Sequence, residues 1–307
     1  MTGWRSRGVF AAGLLAVTSL TPVPVATQEQ FQFVVSARDA DGKPLTDLKA
    51  DEVVMTENGR PNQIVKIEPF HLPVRLTIAV DNGVLSRDSL SHYRTGLEGL
   101  VKALPPEVEV AVIAMAPQPR TVQAFTNDRT RVLKGIGAIA PDGGTPRFAD
   151  TLVEYSKRLK DEFNKTKRLD SIPVLMLVST NAPQSTSYQA TEIDAALQFL
   201  EQRKTRVYVT MSMKATGPNA TEGDQAFIAI PLAKGTHGRY ESLSDTARLA
   251  TLLPEYGTEI AALHQQRYNQ LLVTASRQST GPLQDPRIEL TRPNMTGEVS
   301  IDGFPSN

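Results

Sequence analysis

The side chains that most often carry catalysis are few in this sequence and widely spaced. The histidines are His71, His92, His237 and His264, and no two of them have the short spacing of a metal-binding pair such as His-Glu-x-x-His. The chain has no cysteine, which excludes thiol catalysis and cysteine-ligated metals. It also lacks a Gly-x-Ser-x-Gly nucleophile elbow, but a Ser-His-Asp triad meets only in space, so a hydrolase stays open as an alternative. We predict no catalytic residues and no enzyme activity.

Oxygen-bearing side chains do occur where ligands commonly bind. Asp81 directly follows the apolar run Val74–Val80, and the loop Pro141–Pro146 reads Pro-Asp-Gly-Gly-Thr-Pro. The two glycines of this loop are explained as well by positive φ angles as by the close approach of a ligand. Gly135-Ile-Gly137, by contrast, lacks the further glycine of a dinucleotide-binding fingerprint. Because open α/β sheets bind ligands beyond the carboxyl ends of their strands, we expect any ligand near Asp81.

Alternating apolar runs and amphipathic segments indicate the elements that hold these residues. Val74–Val80, Ile172–Val178 and Val207–Met211 have the nearly continuous apolar character of strands buried on both faces. Apolar residues at helical spacing predict helices between and after them, including Leu90–Leu104 and Leu249–Leu263. The fold class that we predict is α/β: a three-layer Rossmann-like domain with a mostly parallel central sheet.

The segments that flank this domain predict β structure. Phe31–Arg38, Val53–Thr56 and Gln63–Ile67 are strand-like runs separated by turn residues, and β character returns beyond Arg267. Each group alone has too few strands to hide a core. We therefore expect the two groups to pack together as one small antiparallel, sandwich-like and Ig-like β module.

The first residues are typical of an export signal. Arg5 and Arg7 precede the apolar run Val9–Leu20, and prolines and then polar residues follow up to and beyond Thr27. The run is shorter than the roughly 20 residues that cross a bilayer. We predict a cleaved signal over residues 1–26, no stable membrane span after its removal, and a secreted or periplasmic protein.

The charge of the chain argues against nucleic acid as a partner. The sequence has 33 Lys and Arg residues and 33 Asp and Glu residues, so no global field attracts nucleic acid or an anionic membrane. The basic residues between Lys157 and Arg168 alternate with Asp161 and Glu162, which is typical of a solvated helix face. We predict no nucleic-acid partner.

The order of the elements resembles the von Willebrand factor type A domain, with Val80-Asp81 ending the first buried strand and Gly143–Pro146 opening a helix. Asp41–Glu52 and Thr56–Pro61 are similar to the leader of a bacterial family of secreted proteins related to this domain, and Tyr268–Thr274 together with Arg287–Pro293 is similar to that family's closing strands. The resemblance covers nearly all of the chain after the signal. It implies four segments: the signal (1–26), an N-terminal β module (27–70), a type A-like domain (71–264) and C-terminal β strands (265–307).

The resemblance also implies a metal-ion-dependent adhesion site, formed in ligand-binding type A domains by Asp-x-Ser-x-Ser, a Thr from a second loop and a later Asp. Here Asp81 matches the first Asp and Thr145 matches the Thr. Gly83 and Leu85 replace the two serines, and Thr180 replaces the second Asp. One carboxylate and one hydroxyl do not compensate the dehydration of Mg²⁺, which favours about six hard oxygen ligands. The site is therefore degenerate: we predict no cofactor, with Asp81 and Thr145 as weak candidate ligands of Mg²⁺ or Mn²⁺.

These observations predict a protein-interaction module of the binding or adhesion type that works without metal and has an unidentified protein as its partner. The predicted ligand-binding residues lie on three loops and are Asp81, Asn82, Gly83, Ser86, Gly144, Thr145, Thr180 and Asn181. The alternative is a divalent-cation-dependent adhesion domain with a displaced ligand set, in which Ser86 or Asn181 supplies an oxygen. A third interpretation leaves Asp81 as a residue that only hydrogen-bonds loop amides at a strand end.

Overall fold

The computed structural model describes residues 29–166, 170–213, 224–277 and 281–300, so the predicted export signal lies outside the described residues. The strands are β1 (Gln30–Arg38), β2 (Val53–Glu57), β3 (Arg60–His71), β4 (Val74–Val80), β5 (Glu109–Ala114), β6 (Arg120–Thr126), β7 (Ile172–Thr180), β8 (Arg206–Ser212), β9 (Arg239–Leu243), β10 (Asn269–Ser276), β11 (Pro286–Leu290) and β12 (Thr296–Ser300). The α-helices are α1 (Leu90–Ala103), α2 (Arg129–Gly137), α3 (Phe148–Thr166), α4 (Ala190–Gln202), α5 (Asp224–Gly235) and α6 (Leu249–Tyr268).

The central sheet has the order β6-β5-β4-β7-β8-β9. Neighbouring strands run parallel except for β6, which pairs antiparallel with β5, so the sheet is mixed rather than purely parallel. Strand β4 lies near the middle, and six of its seven residues are buried. The predicted α/β class and the mostly parallel sheet are confirmed.

Helices cover both faces of this sheet and form two separate apolar cores. On one face, α1, α2 and α6 pack their apolar residues onto alternate residues of the strands, such as Leu76 and Ile78 of β4. On the other face, α3, α4 and α5 pack onto residues that include Leu175 and Leu177 of β7. Helix α5 was not predicted from the sequence. Pro231 lies inside it, and proline normally ends a helix because it lacks the N–H that continues the hydrogen-bond ladder.

Strands from both ends of the described chain form a second sheet with the order β11-β2-β3-β10-β1-β12, and every neighbouring pair is antiparallel. The long strand β3 pairs with β2 through Arg60–Asn62 and with β10 through Gln63–His71, so it belongs to both halves of the sheet. Phe33, Met55 and Val273 lie in one shared core. The Ig-like description of this module stays a prediction.

The two sheets follow one another in the chain with almost no linker. Strand β3 ends at His71 and β4 begins at Val74, while α6 ends at Tyr268 and β10 begins at Asn269. The ring of Tyr268 stacks on His71, with 4.8 Å between ring centroids, and lies 4.7 Å from the ring of His264. In the part of the chain that the structure describes, no helix is both long enough and apolar enough to span a bilayer.

Candidate functional site

The carboxyl ends of β4 and β7 lie side by side, since Val80 pairs with Val178 in parallel register. The strand order continues from β4 towards β5 in one direction and from β7 towards β8 in the other. Ligands of open α/β sheets bind at such a point, where the winding of the sheet reverses. Three loops meet here, residues 81–89, 141–147 and 181–189, and we call this region the carboxyl edge.

Asp81 lies at the centre of the carboxyl edge and is only 1% exposed. Its Oδ1 accepts hydrogen bonds from the backbone N–H of Gly83 and from Ser86 Oγ, both at 2.8 Å. Its Oδ2 accepts a hydrogen bond from Thr180 Oγ1 at 2.7 Å. The carboxylate therefore joins the end of β4 to its own loop and to the end of β7. These are the hydrogen bonds that the loop-bracing interpretation of Asp81 requires.

Asn82 is fully buried and ties the first loop to two others. Its Nδ2 donates to the carbonyl of Ala140 at 3.0 Å, and its Oδ1 accepts from the N–H of Ala116 at 2.9 Å. Its backbone carbonyl accepts from the N–H of Asp142 at 2.7 Å. Because every polar group of its side chain has a protein partner, Asn82 holds the loops in place and offers no surface to a ligand.

Gly83 and Gly144 are required by close contacts between these loops. A Cβ on Gly83 would lie 2.9 Å from the carbonyl oxygen of Gly144, and a Cβ on Gly144 would lie 2.6 Å from Cβ of Pro117. Neither glycine, nor Gly143, has a positive φ angle. Of the two explanations left open for these glycines, positive φ does not apply, and close packing accounts for Gly144, since a Cβ there would collide with Pro117.

Thr145 and Asn181 take different positions from Asp81. Thr145 is exposed, and its Oγ1 lies 2.6 Å from Ser185 Oγ, so its hydrogen bond joins the second loop to the third. Asn181 is buried, and its backbone N–H donates to the carbonyl of Ser212 at 3.1 Å. The structure thus brings Asp81, Ser86 and Thr180 into one cluster but leaves the hydroxyl of Thr145 bonded elsewhere.

Asp150, which sequence reasoning missed, fixes the third loop. It lies buried in the first turn of α3 and accepts hydrogen bonds from Thr186 Oγ1 at 2.6 Å and from the N–H of Ser187 at 3.0 Å. Arg147 Nη1 lies 3.5 Å from the same carboxylate. The available signal was an acidic residue in the first turn of a predicted helix, where the partial positive charge of the N-terminus favours it.

Tyr93 contacts the carboxyl edge through the end of β7. Its buried hydroxyl donates to the carbonyl of Ser179, next to Thr180, at 3.3 Å. Burial raises the pKa of the Tyr93 hydroxyl above its ordinary value, so the proton that makes this bond is retained at any physiological pH.

The tip of the first loop is exposed although its base is buried. Val84 is 48% exposed and Leu85 is 53% exposed, and both belong to the short 3-10 turn Val84–Ser89 between Asp81 and α1. The N–H of Val84 also donates to the carbonyl of Gly144 at 3.3 Å. The loop therefore exposes two consecutive apolar side chains to solvent, while hydrogen bonds fix its base.

The histidines do not assemble a nucleophilic site in the described ranges. His92 and His237 are exposed. The Nδ1 of His71 lies 3.4 Å from the carbonyl of Tyr268. His264 is buried; its Nδ1 accepts from the N–H of Val74 at 3.4 Å, and its Nε2 lies 3.7 Å from Glu107. The rings of His71 and His264 both pack against Tyr268, where the two sheets join.

Comparison with known proteins finds similarity in three-dimensional structure only. No protein-family model matches the chain, and no curated protein matches it. Similar solved structures include a von Willebrand factor type A protein from Catenulispora acidiphila, with 12% identity, a TM-score of 0.49, and coverage of 88% of this chain and 72% of that one. The conserved hypothetical protein BatB from Bacteroides thetaiotaomicron has 13% identity, a TM-score of 0.46, and coverage of 62% and 99%. Manganese-loaded TRAP protein from Plasmodium vivax has 14% identity, a TM-score of 0.44, and coverage of 76% and 95%.

The mostly parallel central sheet and the helices on both faces are the features that the sequence predicted, while the antiparallel direction of the edge strand β6 was not predicted. The α/β domain has a von Willebrand factor type A-like fold. At such low identity these likenesses say nothing about what the chain binds.

The type A-like domain does not hold the ligand set of a metal-ion-dependent adhesion site. A divalent cation needs several negatively charged or strongly polar oxygen ligands, whereas Asp81 is the one carboxylate among the aligned residues, and its oxygens already accept from the N–H of Gly83 and the hydroxyls of Ser86 and Thr180. The hydroxyl of Thr145 bonds to Ser185. Within the described ranges, no group of three or more His, Asp or Glu side chains is arranged to hold a metal ion. The residues present do not fit Mg²⁺ or Mn²⁺.

Proposed function

We propose that this chain is a secreted or periplasmic protein-interaction module without catalytic activity, whose docking loops at the carboxyl edge keep their shape without a divalent cation. The observation that carries the proposal is the exposure of Val84 and Leu85 on a loop whose base is fixed by the buried carboxylate of Asp81.

Such a loop suits protein recognition for two reasons. An apolar side chain that is half exposed in the free protein gains free energy when a partner covers it. A loop that is already ordered loses little conformational entropy on binding, so more of that gain is left as affinity. Asp81, Asn82 and Asp150 supply this order through side-chain hydrogen bonds to the three loops.

The cation-dependent alternative would need more negative charge than this site offers, because Asp81 is the one carboxylate among the residues that the resemblance aligns. Ser86, proposed from the sequence as a displaced ligand, lies at the right place but has its hydroxyl within 2.8 Å of Asp81 Oδ1 and 2.9 Å of the carbonyl of Gly83. A cation on Asp81 would compete with these hydrogen bonds, and with the one from Thr180, for the carboxylate oxygens. The secreted or periplasmic location is supported by the sequence of residues 1–26 alone.

The docking proposal is tested by replacing Leu85 with Ser and measuring partner capture from an extracytoplasmic extract. Val65→Ser is the matched control, because Val65 is 52% exposed but lies on β3 in the other sheet. We expect the same partner on the unchanged chain and on the control, with and without EDTA, and a strong loss with Leu85→Ser. Equal recovery by both variants would contradict a docking role for the first loop, and recovery only without EDTA would contradict metal independence.

The absence of a metal requirement is tested directly by titrating the protein with Mg²⁺ and Mn²⁺ and by thermal melts with each ion and with EDTA. A specific cation would raise the melting temperature by mass action. We expect no saturable heat and no shift in melting temperature.

A further inference from the structure

The chain passes between the two sheets at two neighbouring places, residues 71–74 and 268–269, and we call this region the junction. The N–H of Leu72 donates to the carbonyl of Tyr268 at 3.4 Å, so the two crossings are in contact. Strand β4 begins here, at Val74, and the carboxyl edge lies at the other end of the same strand. The junction is therefore separate from the docking loops.

The last turn of α6, residues 264–268, is tied to the β module by two contacts. The carbonyl of Gln266 accepts a hydrogen bond from Arg38 Nη2 at 2.7 Å. Arg267 Nη1 lies 2.6 Å from a carboxylate oxygen of Glu298. Arginine stays charged in acid, and a carboxylate stays charged above about pH 5. These contacts therefore hold the turn to the β module both at neutral pH and in mild acid.

His264 ties the same turn to the central sheet. Its side chain is 5% exposed, and its Nδ1 accepts a hydrogen bond from the N–H of Val74 at 3.4 Å. The accepting nitrogen of a neutral imidazole carries no proton, so the proton of this ring is on Nε2. Nε2 lies 3.7 Å from a carboxylate oxygen of Glu107, which is too long for a hydrogen bond. The link to Val74 therefore exists only while the ring is neutral.

Protonation of His264 changes which group the ring favours. The imidazolium has an N–H on both nitrogens, so its Nδ1–H and the N–H of Val74 would meet as two donors. A cavity of about 430 Å³ borders the ring and is lined in part by Ala261, Ala262 and Glu107. The cavity gives the ring space to turn away from Val74, and its carboxylate attracts the positive charge. The neutral ring thus favours β4 and the charged ring favours Glu107.

The charged and titratable groups around His264 come from three elements. Glu107 precedes β5, and Arg129 of α2 is near enough to interact with its charge. His71 of β3 contacts the ring of Tyr268. The first residues of β4 and β10 are uncharged. Burial lowers the pKa of His264 and Glu107 raises it, and burial has the larger effect.

The direction of this shift decides how the junction responds to acid. The buried ring of His264 binds fewer protons than the same ring does after it has left Val74, so acid favours the released state. The link is complete above the ordinary histidine pKa of about 6.5 and is lost as the pH falls below it. The contacts of Arg38 and Arg267 with the same turn remain.

We propose that His264 makes the junction pH-sensitive: at neutral pH its ring holds the last turn of α6 to β4, and in mild acid it turns to Glu107 and lets the β module move relative to the α/β domain. Neither the type A-like fold nor the docking function requires this contact. The proposal therefore stands or fails independently of the proposed function.

The test uses the absence of cysteine from the chain. Val65→Cys on β3 and Lys134→Cys on α2 place one spin label at an exposed position on each side of the junction of the full chain. The distance between the labels is measured by pulsed electron paramagnetic resonance at about pH 7.5 and about pH 5. We expect one narrow distance distribution at the higher pH and a shifted or broadened distribution at the lower pH.

Three variants of the labelled chain separate His264 from other titrating groups. His264→Asn offers an amide oxygen that accepts from the N–H of Val74 and does not titrate, so the distribution should stay narrow at both pH values. His92→Asn, which removes an exposed histidine of α1, is the matched control and should keep the acid response. Glu107→Gln should lower the midpoint of the response by about 0.2–0.7 pH units, the contribution of a partly exposed ion pair.

Three results would overturn the proposal. The first is an unaltered distance distribution at about pH 5 in the chain with native His264. The second is the same acid response in His264→Asn, and the third is its loss in His71→Asn. If His264→Asn does not fold, Glu107→Gln decides, because a midpoint equal to that of the chain with native Glu107 contradicts the proposal.

Discussion

Replacing Asp81 with Ala separates a bracing carboxylate from a metal ligand. The change removes the acceptor of three buried hydrogen bonds, from Gly83 N–H, Ser86 Oγ and Thr180 Oγ1. Ser86 has a second acceptor in the carbonyl of Gly83 at 2.9 Å, so two donors lose their partner. A buried donor without a partner costs about 1–3 kcal/mol, which gives a loss of about 4 kcal/mol in the free energy of unfolding. For a domain of this size that corresponds to a fall of about 8–16 °C in melting temperature.

Asp81→Asn is the informative companion variant. The amide keeps one oxygen to accept from Gly83 and Ser86, and its N–H₂ can donate to Thr180 Oγ1 if that hydroxyl turns to accept. We expect it to lose no more than about half as much stability as Asp81→Ala, measured by thermal and urea unfolding in EDTA. A melting temperature of Asp81→Ala within about 2 °C of that of the unchanged chain would contradict the bracing role of Asp81, and so would stabilisation by Mg²⁺ of the unchanged chain but not of Asp81→Asn.

Three further perturbations test other parts of the structure. Arg277→Met leaves the buried carboxylate of Glu57, 2.6 Å away, without its cation, and should lower the melting temperature by roughly 5–10 °C in differential scanning calorimetry. Gly257→Val should cost at least about 2 kcal/mol in urea unfolding, because a Cβ there would lie 2.7 Å from a backbone oxygen of α1. The Arg292 guanidinium lowers the pKa of Glu52 from 4.5 to about 2. The folded state therefore binds fewer protons than the unfolded chain, so this contribution to stability is complete above pH 4.5, lost as the pH falls towards 2, and absent in Arg292→Gln.

Matched controls for these three variants come from exposed positions of the same chain. Gly137→Ala introduces a Cβ that would meet nothing within 4 Å, so its stability should match that of the unchanged chain, and a loss as large as that of Gly257→Val would contradict the packing argument. Arg287→Gln removes an exposed arginine of the β module and should keep the acid dependence that Arg292→Gln loses. If Arg277→Met melts like Arg287→Gln, the buried ion pair does not stabilise the module.

The central strands could be predicted because a strand that is buried on both faces is a continuous apolar run. Such a run can be recognised in the sequence without knowing what packs against it. Val74–Val80 was predicted with the bounds that the structure shows. Helix α5 lacked such a signal: it combines the internal Pro231 with Phe227 and Ile230, apolar residues that point to solvent, so no polar face marks it as amphipathic. Its place is determined by packing against α3, α4 and β8, which the local sequence does not encode.

The candidate site was predictable to the extent that sheet geometry determines it. Asp81 and Thr180 end neighbouring parallel strands, so their side chains had to meet. The partner of Thr145 could not be inferred, because it depends on the conformation of the loop that contains Ser185. That conformation is fixed in turn by hydrogen bonds to Asp150, which lies more than thirty positions earlier in the chain. No local sequence pattern predicts these hydrogen bonds.

The replacement of a carboxylate by Thr180 changes what a partner can recognise. In a metal-ion-dependent site two carboxylates hold a cation, and the cation's open position accepts a partner's carboxylate. Here the Thr180 hydroxyl donates a hydrogen bond to Asp81 below the surface, so this pair of positions supplies one carboxylate where the metal-dependent site has two. The exposed residues of that loop are the apolar Val84 and Leu85 and the charged Arg87 and Asp88. On the proposed docking function, apolar contact with Val84 and Leu85 selects the partner. Because Arg87 and Asp88 carry opposite charges, we expect its binding to respond little to ionic strength, since salt screens charges and not apolar surfaces.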